Sequence, residues 1–125
     1  MRIKDAIEQV EIKVPGNTHG HPELIRWLSA LDGEIFGTLY QQREKPPVSD
    51  WSPYDPMAEG VKDTVLLAQA PYDDLYVTYL VMMIHREDGD DMAVNDTDDY
   101  NSRYYQFRSA YARKHRGITP RWSFF

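Results

Sequence analysis

The segment from Ala70 to Ile84 is the most apolar part of the sequence, and its pattern predicts a helix. Two adjacent stripes of apolar side chains cover most of its circumference, with Tyr72, Leu75, Tyr76, Tyr79, Leu80 and Met83 on one and Val77, Val81 and Ile84 on the other. A helix that is apolar nearly all round is usually buried on several sides, so we expect this one to be central. Pro71 is expected to open it, because proline lacks a backbone N–H and the first N–H groups of a helix have no partner within the helix anyway. Asp73 and Asp74 should then place negative charge in its first turn.

Two amphipathic helices are predicted before this segment. The first has apolar residues at helical spacing at Ile3, Ala6, Ile7 and Val10. The second should begin at Pro22 with Glu23 in its first turn, and its apolar face consists of Leu24, Trp27, Leu28, Leu31, Ile35 and Leu39. The turn chemistry between residues 14 and 21 separates the two helices.

Gly33 and Gly37 interrupt the second predicted helix on one face, four residues apart. Each glycine costs about 1 kcal/mol relative to alanine in a helix. Two explanations stay open: close approach of another helix or chain, which we favour, and a local kink. Under the first explanation both glycines are candidate subunit contacts.

The segment from Gln42 to Gly60 shows no helical period and is predicted to be a long ordered loop. Four prolines, Pro46, Pro47, Pro53 and Pro56, forbid a regular helix there. Aromatic residues at Trp51 and Tyr54 are not typical of a disordered segment, and a long ordered loop in a small domain is often a functional surface. Residues 61–67 are expected to form a short extended piece after it.

A last helix is predicted to begin near Thr97 or Asp98, where short polar side chains can cap it. Its inner face is aromatic, with Tyr100, Tyr104, Phe107 and Tyr111 at helical spacing. Gly117 is expected to end the helix and Pro120 to prevent its resumption. The aromatic residues 121–125 are expected to dock on another surface, because such a terminus is not typical of a solvated tail.

The composition suits one soluble domain of 125 residues. The absence of cysteine excludes disulfides, thiolate metal sites and cysteine nucleophiles, and no apolar run approaches the roughly 18 residues of a membrane span. The segment Met1–Ile7 lacks the apolar core of a signal peptide. These features lead us to expect an all-α intracellular protein: a small bundle of about four helices with a proline-rich loop and an extended C-terminal arm. We place the helical domain at residues 1–116 and the arm at residues 117–125.

The net charge of −6 is distributed very unevenly. Residues 87–99 carry seven acids and no base: Glu87, Asp88, Asp90, Asp91, Asp96, Asp98 and Asp99. From residue 103 onward there are six bases and no acid: Arg103, Arg108, Arg113, Lys114, Arg116 and Arg121. Such asymmetry predicts that part of the molecule meets an oppositely charged surface on a neighbour. A solvated acidic turn beside a basic helix is the alternative.

The candidate chemical motifs are weak. His19 and His21 flank a glycine, but no third metal ligand has suitable spacing, so we interpret them as surface or capping residues. The acidic segment lacks the glycine and terminal glutamate of a calcium loop at the required positions, which leaves only weak calcium binding open. The phosphate-loop, dinucleotide-binding and Gly-x-Ser-x-Gly patterns are also missing, so we predict no enzyme, no metal site and no cofactor.

The tyrosine-rich last helix, with its interleaved arginines, could bind nucleic acid by base stacking and phosphate contacts. Tyrosines at helical spacing are more often part of a core, and the net charge is negative rather than basic. Nucleic-acid binding is therefore kept as an alternative function.

Several short stretches, taken together and in order, resemble the small head–tail connector proteins (adaptor, or head completion, proteins) of tailed bacteriophages. The stretches are residues 5–7 (Asp-Ala-Ile), 25–33 (Ile-Arg-Trp-Leu-Ser-Ala-Leu-Asp-Gly), 70–76 (Ala-Pro-Tyr-Asp-Asp-Leu-Tyr), 79–80 (Tyr-Leu), 100–102 (Tyr-Asn-Ser) and 107–111 (Phe-Arg-Ser-Ala-Tyr). The resemblance extends from Asp5 to about His115. The acidic segment from Asp88 to Asp99 is longer and more acidic than is usual for that family. The loop from Gln42 to Gly60 is richer in proline.

The resemblance implies a helical protomer that assembles as a ring, typically a dodecamer, in the virion neck after synthesis in the host cytoplasm. The ring would join the portal protein to a stopper or tail-completion protein and continue the channel for genomic DNA, without sequence-specific binding and without a membrane. The portal-docking arm would comprise Ile118, Arg121, Trp122, Ser123, Phe124 and Phe125. The expected subunit contacts are Gly33, Gly37, Trp51, Tyr54, Arg108 and Lys114, and the acids facing the channel or a neighbour are Asp90, Asp91, Asp96 and Asp98. A stopper protein, mainly β, and a helical DNA-packaging accessory protein are the alternatives.

Overall fold

The computed structural model describes residues 1–43 and 46–115, and it confirms the prediction of a small all-α bundle. The four helices are α1 (Ile3–Lys13), α2 (His21–Ile35), α3 (Leu75–Glu87) and α4 (Ala93–Lys114). A π-helical turn at Phe36–Tyr40 prolongs α2, and a 3-10 turn lies at Val61–Asp63. Within these two described ranges there is no strand, although Arg2 and Val65 form an isolated antiparallel bridge. The predicted boundary between domain and arm lies outside the described residues.

Helix α3 is central, as its apolar circumference predicts. It contacts α1, α2 and α4, and it packs most extensively on α4. Leu75, Tyr76, Leu80 and Ile84 on α3 are completely inaccessible to solvent. The bundle therefore closes around this helix.

The predicted start of α3 at Pro71 is wrong, because residues 69–74 form consecutive turns. The N–H of Tyr72 donates to Gln69, and the N–H of Leu75 donates to Tyr72, each across three residues. Tertiary contacts fix the two acids just before the helix: Asp74 binds Arg103 of α4, and the amino group of Met1 lies 3.4 Å from Asp73. The helix therefore begins at Leu75, and its preceding acids pair with distant residues.

Helix α4 begins at Ala93, four residues before the predicted start. The Asp90 carboxylate accepts a hydrogen bond from the Met92 N–H at 2.8 Å, which closes the turn that leads into the helix. Thr97, a predicted cap, instead donates its hydroxyl proton to the Ala93 carbonyl within the helix. The aromatic inner face is confirmed, since Tyr100, Phe107 and Tyr111 are buried.

The segment before α3 is only partly extended. Residues 61–63 form the 3-10 turn, contrary to the prediction, whereas residues 64–66 run beside the amino-terminal segment. The Ile3 N–H donates to Thr64 at 3.0 Å and the Leu66 N–H donates to Met1 at 2.9 Å. These two hydrogen bonds attach the segment to the start of α1.

The periodicity of the first two helices correctly predicts their buried faces. All four apolar residues of the α1 pattern are buried, and so are Leu24, Leu28, Leu31, Ile35 and Leu39 of the second pattern. No helix within residues 1–43 and 46–115 is long and apolar enough to cross a membrane.

Candidate functional site

A buried carboxylate, Asp32 of α2, lies at the centre of a polar network that the sequence analysis missed. Its side chain is completely inaccessible to solvent. The signal was present in the helical pattern, because Asp32 falls four residues after Leu28, on the apolar face. A charged residue on such a face is expected to have specific partners.

Three donors from separate parts of the chain converge on Asp32. The Tyr54 and Tyr76 hydroxyls each donate to it at 2.5 Å, and the Leu67 N–H donates at 3.1 Å. Each tyrosine oxygen also accepts a hydrogen bond, from Trp51 Nε1 at 3.1 Å and from the Ala68 N–H at 2.7 Å respectively. The hydroxyl protons are thereby directed at the carboxylate, so the network solvates its ionised form.

Burial raises the pKa of the Asp32 carboxyl, while the hydrogen bonds from Tyr54, Tyr76 and Leu67 act in the opposite direction. Burial also raises the pKa values of Tyr54 and Tyr76, so both hydroxyls keep their protons for donation. The network joins α2, α3, the proline-rich loop and the segment before α3. Its chemical effect is to hold loops in place on the bundle.

Trp51 and Tyr54, two of the predicted subunit contacts, are half-buried and pack within their own chain. The Trp51 ring stacks on Phe36 with ring centroids 6.4 Å apart, and the Tyr54 N–H donates to Ser29 Oγ at 3.0 Å. A methyl group added at Gly33 would lie 3.0 Å from Cη2 of Trp51. A close neighbour of Gly33 is therefore this tryptophan of the same chain, and the role of Gly33 as a subunit contact stays a prediction.

Gly37 has a different setting from Gly33. It lies in the π-helical turn, where a methyl group would meet nothing within 4 Å. A local distortion of the helix, the second explanation considered for the glycines, therefore coincides with Gly37. Its role as a subunit contact stays a prediction.

The four predicted neighbour-facing acids do not behave alike. Asp96 is largely buried and binds His85 of α3, and its predicted role toward a channel or neighbour stays a prediction. Asp90 is exposed, although one of its oxygens accepts the Met92 N–H. Asp91 and Asp98 are exposed, and their predicted role toward a channel or neighbour stays a prediction.

The basic half of α4 keeps most of its charge on the surface. Arg103 is used within the chain, where it binds Asp74 and Asp99. Arg108 is exposed and lies over the ring of Tyr105, 5.7 Å from its centroid. Lys114, the last residue of α4, is also exposed, so both predicted contact residues are available to a neighbour.

An aromatic groove lies where α4 ends. Tyr111 stacks on Tyr40 at 4.9 Å and on His115 at 4.1 Å, measured between ring centroids. These rings, with Tyr72 and Phe107, line a cavity of about 150 Å³. The predicted docking arm from Ile118 to Phe125 follows directly in the sequence but lies outside the described residues.

The paired histidines near the start of α2 bind carboxylates. His19 contacts Glu23 at 3.0 Å and Asp88 at 2.9 Å, whereas His21 contacts Glu11 at 2.5 Å and Lys62 at 2.7 Å. The two rings thus have separate partners. Across residues 1–43 and 46–115, no three histidine or acidic side chains are arranged to hold a metal ion.

His19 should make the stability of the bundle depend on pH. Its hydrogen bonds to Glu23 and Asp88 raise the pKa of its imidazole above the ordinary 6.5. A raised pKa stabilises the folded state fully below the unfolded pKa, and this contribution is lost as the pH rises through the folded value. We expect His19→Gln to reduce the free energy of unfolding more at about pH 5 than at about pH 9. Denaturant titration of both proteins measures the difference, and an equal loss at the two pH values would contradict this role.

Comparisons with known proteins give no identification for this site: no protein-family model, no curated protein and no solved structure matches the chain.

Proposed function

We propose that this protein is a subunit of a phage head–tail connector, which forms a ring between the portal protein and the stopper or tail. The observation that carries the proposal is the opposite charge of the two ends of α4 on an all-α domain. The helix has 22 residues and is therefore about 33 Å long at 1.5 Å per residue. Asp90 and Asp91 lie before its start, while Arg113 and Lys114 lie in its last turn.

This charge separation suits a subunit with two different neighbours. Heterologous contacts, in which unlike surfaces meet, can close into rings, and opposite charges favour such contacts. Exposed acids such as Asp91 and Asp98 would also repel the phosphate backbone of passing DNA, which dominates non-specific binding. A ring that guides DNA without retaining it needs this property.

The Asp32 network supports the same function through rigidity. It fixes Tyr54, and with it the proline-rich loop, to the bundle. A preorganised surface loses less conformational entropy on association than a mobile one. The helical architecture also disfavours the alternative of a stopper protein, which would be mainly β.

The arm at residues 117–125 would bind the portal in this proposal. In the sequence it follows α4, whose end contributes Tyr111 to the aromatic groove with Tyr40 and His115. Its own aromatic residues, Trp122, Phe124 and Phe125, are of the type that anchors protein interfaces.

Electron microscopy of the purified chain, alone and with its portal protein, tests the proposal. We expect rings that bind the portal, and we expect truncation after Gly117 to abolish portal binding while the rings persist. Gln106→Ala, at an exposed residue of α4 outside the arm, is the control and should bind the portal normally. A truncated chain that still binds the portal overturns the role of the arm. A full-length chain that neither forms rings nor binds the portal overturns the connector function, and tight, salt-sensitive DNA binding would then favour a packaging accessory protein.

A further inference from the structure

At the amino-terminal end of α4, exposed apolar side chains are flanked by acidic residues. Val94 is 69% exposed and Met92 is 50% exposed, although both are apolar. Val94 and Asp98 lie four residues apart in α4 and therefore share one face of the helix, and the exposed Asp91 lies in the turn just before it. We call Asp91, Met92, Val94 and Asp98 the acidic knob.

The other end of the same face borders a groove between α4 and the π-helical turn that follows α2. Its lining combines apolar surface from Leu39 and Tyr104 with the exposed ring of Tyr105 and the cations of Arg43 and Arg108. We call these five residues the basic groove. One acid, Glu34, also lines this space.

The two surfaces are complementary in character. The knob has apolar side chains with acids around them, and the groove has an apolar floor with bases beside it. Such matched patterns of charge and apolar surface favour association and determine its register. Burial of Val94 and Met92 would remove from water two of the most exposed apolar side chains in the described part of the chain.

A knob cannot reach the groove of its own chain. Val94 and Arg108 are separated by 14 positions on one continuous helix, which is about 21 Å at 1.5 Å per residue. We therefore infer that the acidic knob of one copy of this chain binds the basic groove of a second copy. The inference rests on the proposed function only in assigning this contact to the ring; the contact itself follows from the two surfaces.

Charge reversal tests the contact directly. We expect Asp91→Lys and Arg108→Glu each to weaken self-association about tenfold or more, because each places like charges opposite one another. The double variant Asp91→Lys/Arg108→Glu should recover association, since positions 91 and 108 again carry opposite charges while Asp98 and Arg43 are unchanged. Arg26→Glu, at an exposed arginine of α2, is the matched control and should self-associate like the unchanged protein.

The apolar part of the knob is tested separately. Val94→Ser should weaken self-association, whereas Ile12→Ser, at an equally exposed apolar residue of α1, should not. Light scattering after size-exclusion chromatography measures the assembly, and circular dichroism checks that every variant is folded.

The outcomes separate this inference from the proposed function. Loss in both single variants with recovery in the double variant supports the inference, whether the assembly is a ring or a two-fold dimer. A two-fold dimer would at the same time overturn the ring. Failure of the double variant to recover, equal weakening by Arg26→Glu, or an unchanged protein that stays monomeric at every concentration overturns the knob-in-groove contact, while portal binding is still decided by microscopy.

Discussion

Replacement of Asp32 by alanine is expected to lower the free energy of unfolding by about 3 to 5 kcal/mol. The change leaves the Tyr54 and Tyr76 hydroxyls and the Leu67 N–H without their acceptor, and each unsatisfied buried donor costs about 1 to 3 kcal/mol. The loss is large against the 5 to 15 kcal/mol typical of a whole domain. Denaturant titration monitored by circular dichroism measures it. In a background in which Trp27 and Trp122 are replaced by phenylalanine, the fluorescence of Trp51 should report whether the proline-rich loop detaches.

Two further variants make this prediction specific. Glu34→Ala removes an exposed acid two residues away on the same helical segment and should change stability by less than about 0.5 kcal/mol. Tyr76→Phe removes one donor together with the acceptor of the Ala68 N–H, so its effect should be smaller than that of Asp32→Ala but clearly measurable. If Asp32→Ala is no more destabilising than Glu34→Ala, the network does not hold the loops to the bundle.

Replacement of Phe107 by alanine is expected to cost about 3 to 4 kcal/mol of stability. Its ring is 5% exposed and lies 6.2 Å from those of Tyr72 and Tyr111, between centroids. Removing it would leave a void between the last helix and the turn that precedes α3. Thermal and denaturant unfolding both measure the loss.

Tyr105→Ala is the matched control, because it removes an aromatic ring from the opposite side of the same helix. Tyr105 is 61% exposed, so the substitution should change the free energy of unfolding by less than about 0.5 kcal/mol. The same variant should weaken self-association through the basic groove. Equal destabilisation by the two substitutions would show that the aromatic stripe of α4 is not the inner face.

Sequence periodicity predicted the helices well where the pattern is local. The stripe from Leu24 to Leu39 became a buried face, and the aromatic positions of α4 point inward as their spacing indicates. Apolar spacing has this power because one helix turn brings positions three and four apart to the same side. These local patterns were enough to predict the all-α architecture, and the structure confirms it.

The sequence was less informative about helix starts. Pro71 and Thr97 are good local signals, yet α3 and α4 begin elsewhere. Asp74 pairs with Arg103, 29 residues away, and local propensity carries no information about such a partner. A helix boundary is decided by small free-energy differences, so one tertiary contact can shift it by a turn.

The candidate site divides in the same way. The sequence shows directly that residues 87–99 are acidic and that the chain after residue 103 is basic. The opposite charges at the two ends of the exposed α4 face could therefore be predicted. The inward direction of Asp96 could not be predicted from the sequence, because it depends on His85 of the adjacent helix. The packing of Trp51 on Gly33 is likewise not evident from the sequence, because it joins the proline-rich loop to α2.

The sequence by itself determined three amphipathic segments, a fourth that is apolar nearly all round, a proline-rich loop and a helix with opposite charges at its two ends. Only the tertiary structure decided where α3 and α4 begin, which acids face outward, and that Asp32 joins residues 22, 35 and 44 positions away. The physical reason is that apolar periodicity acts between neighbours along the chain. A buried carboxylate, in contrast, needs donors that become adjacent only when the helices pack.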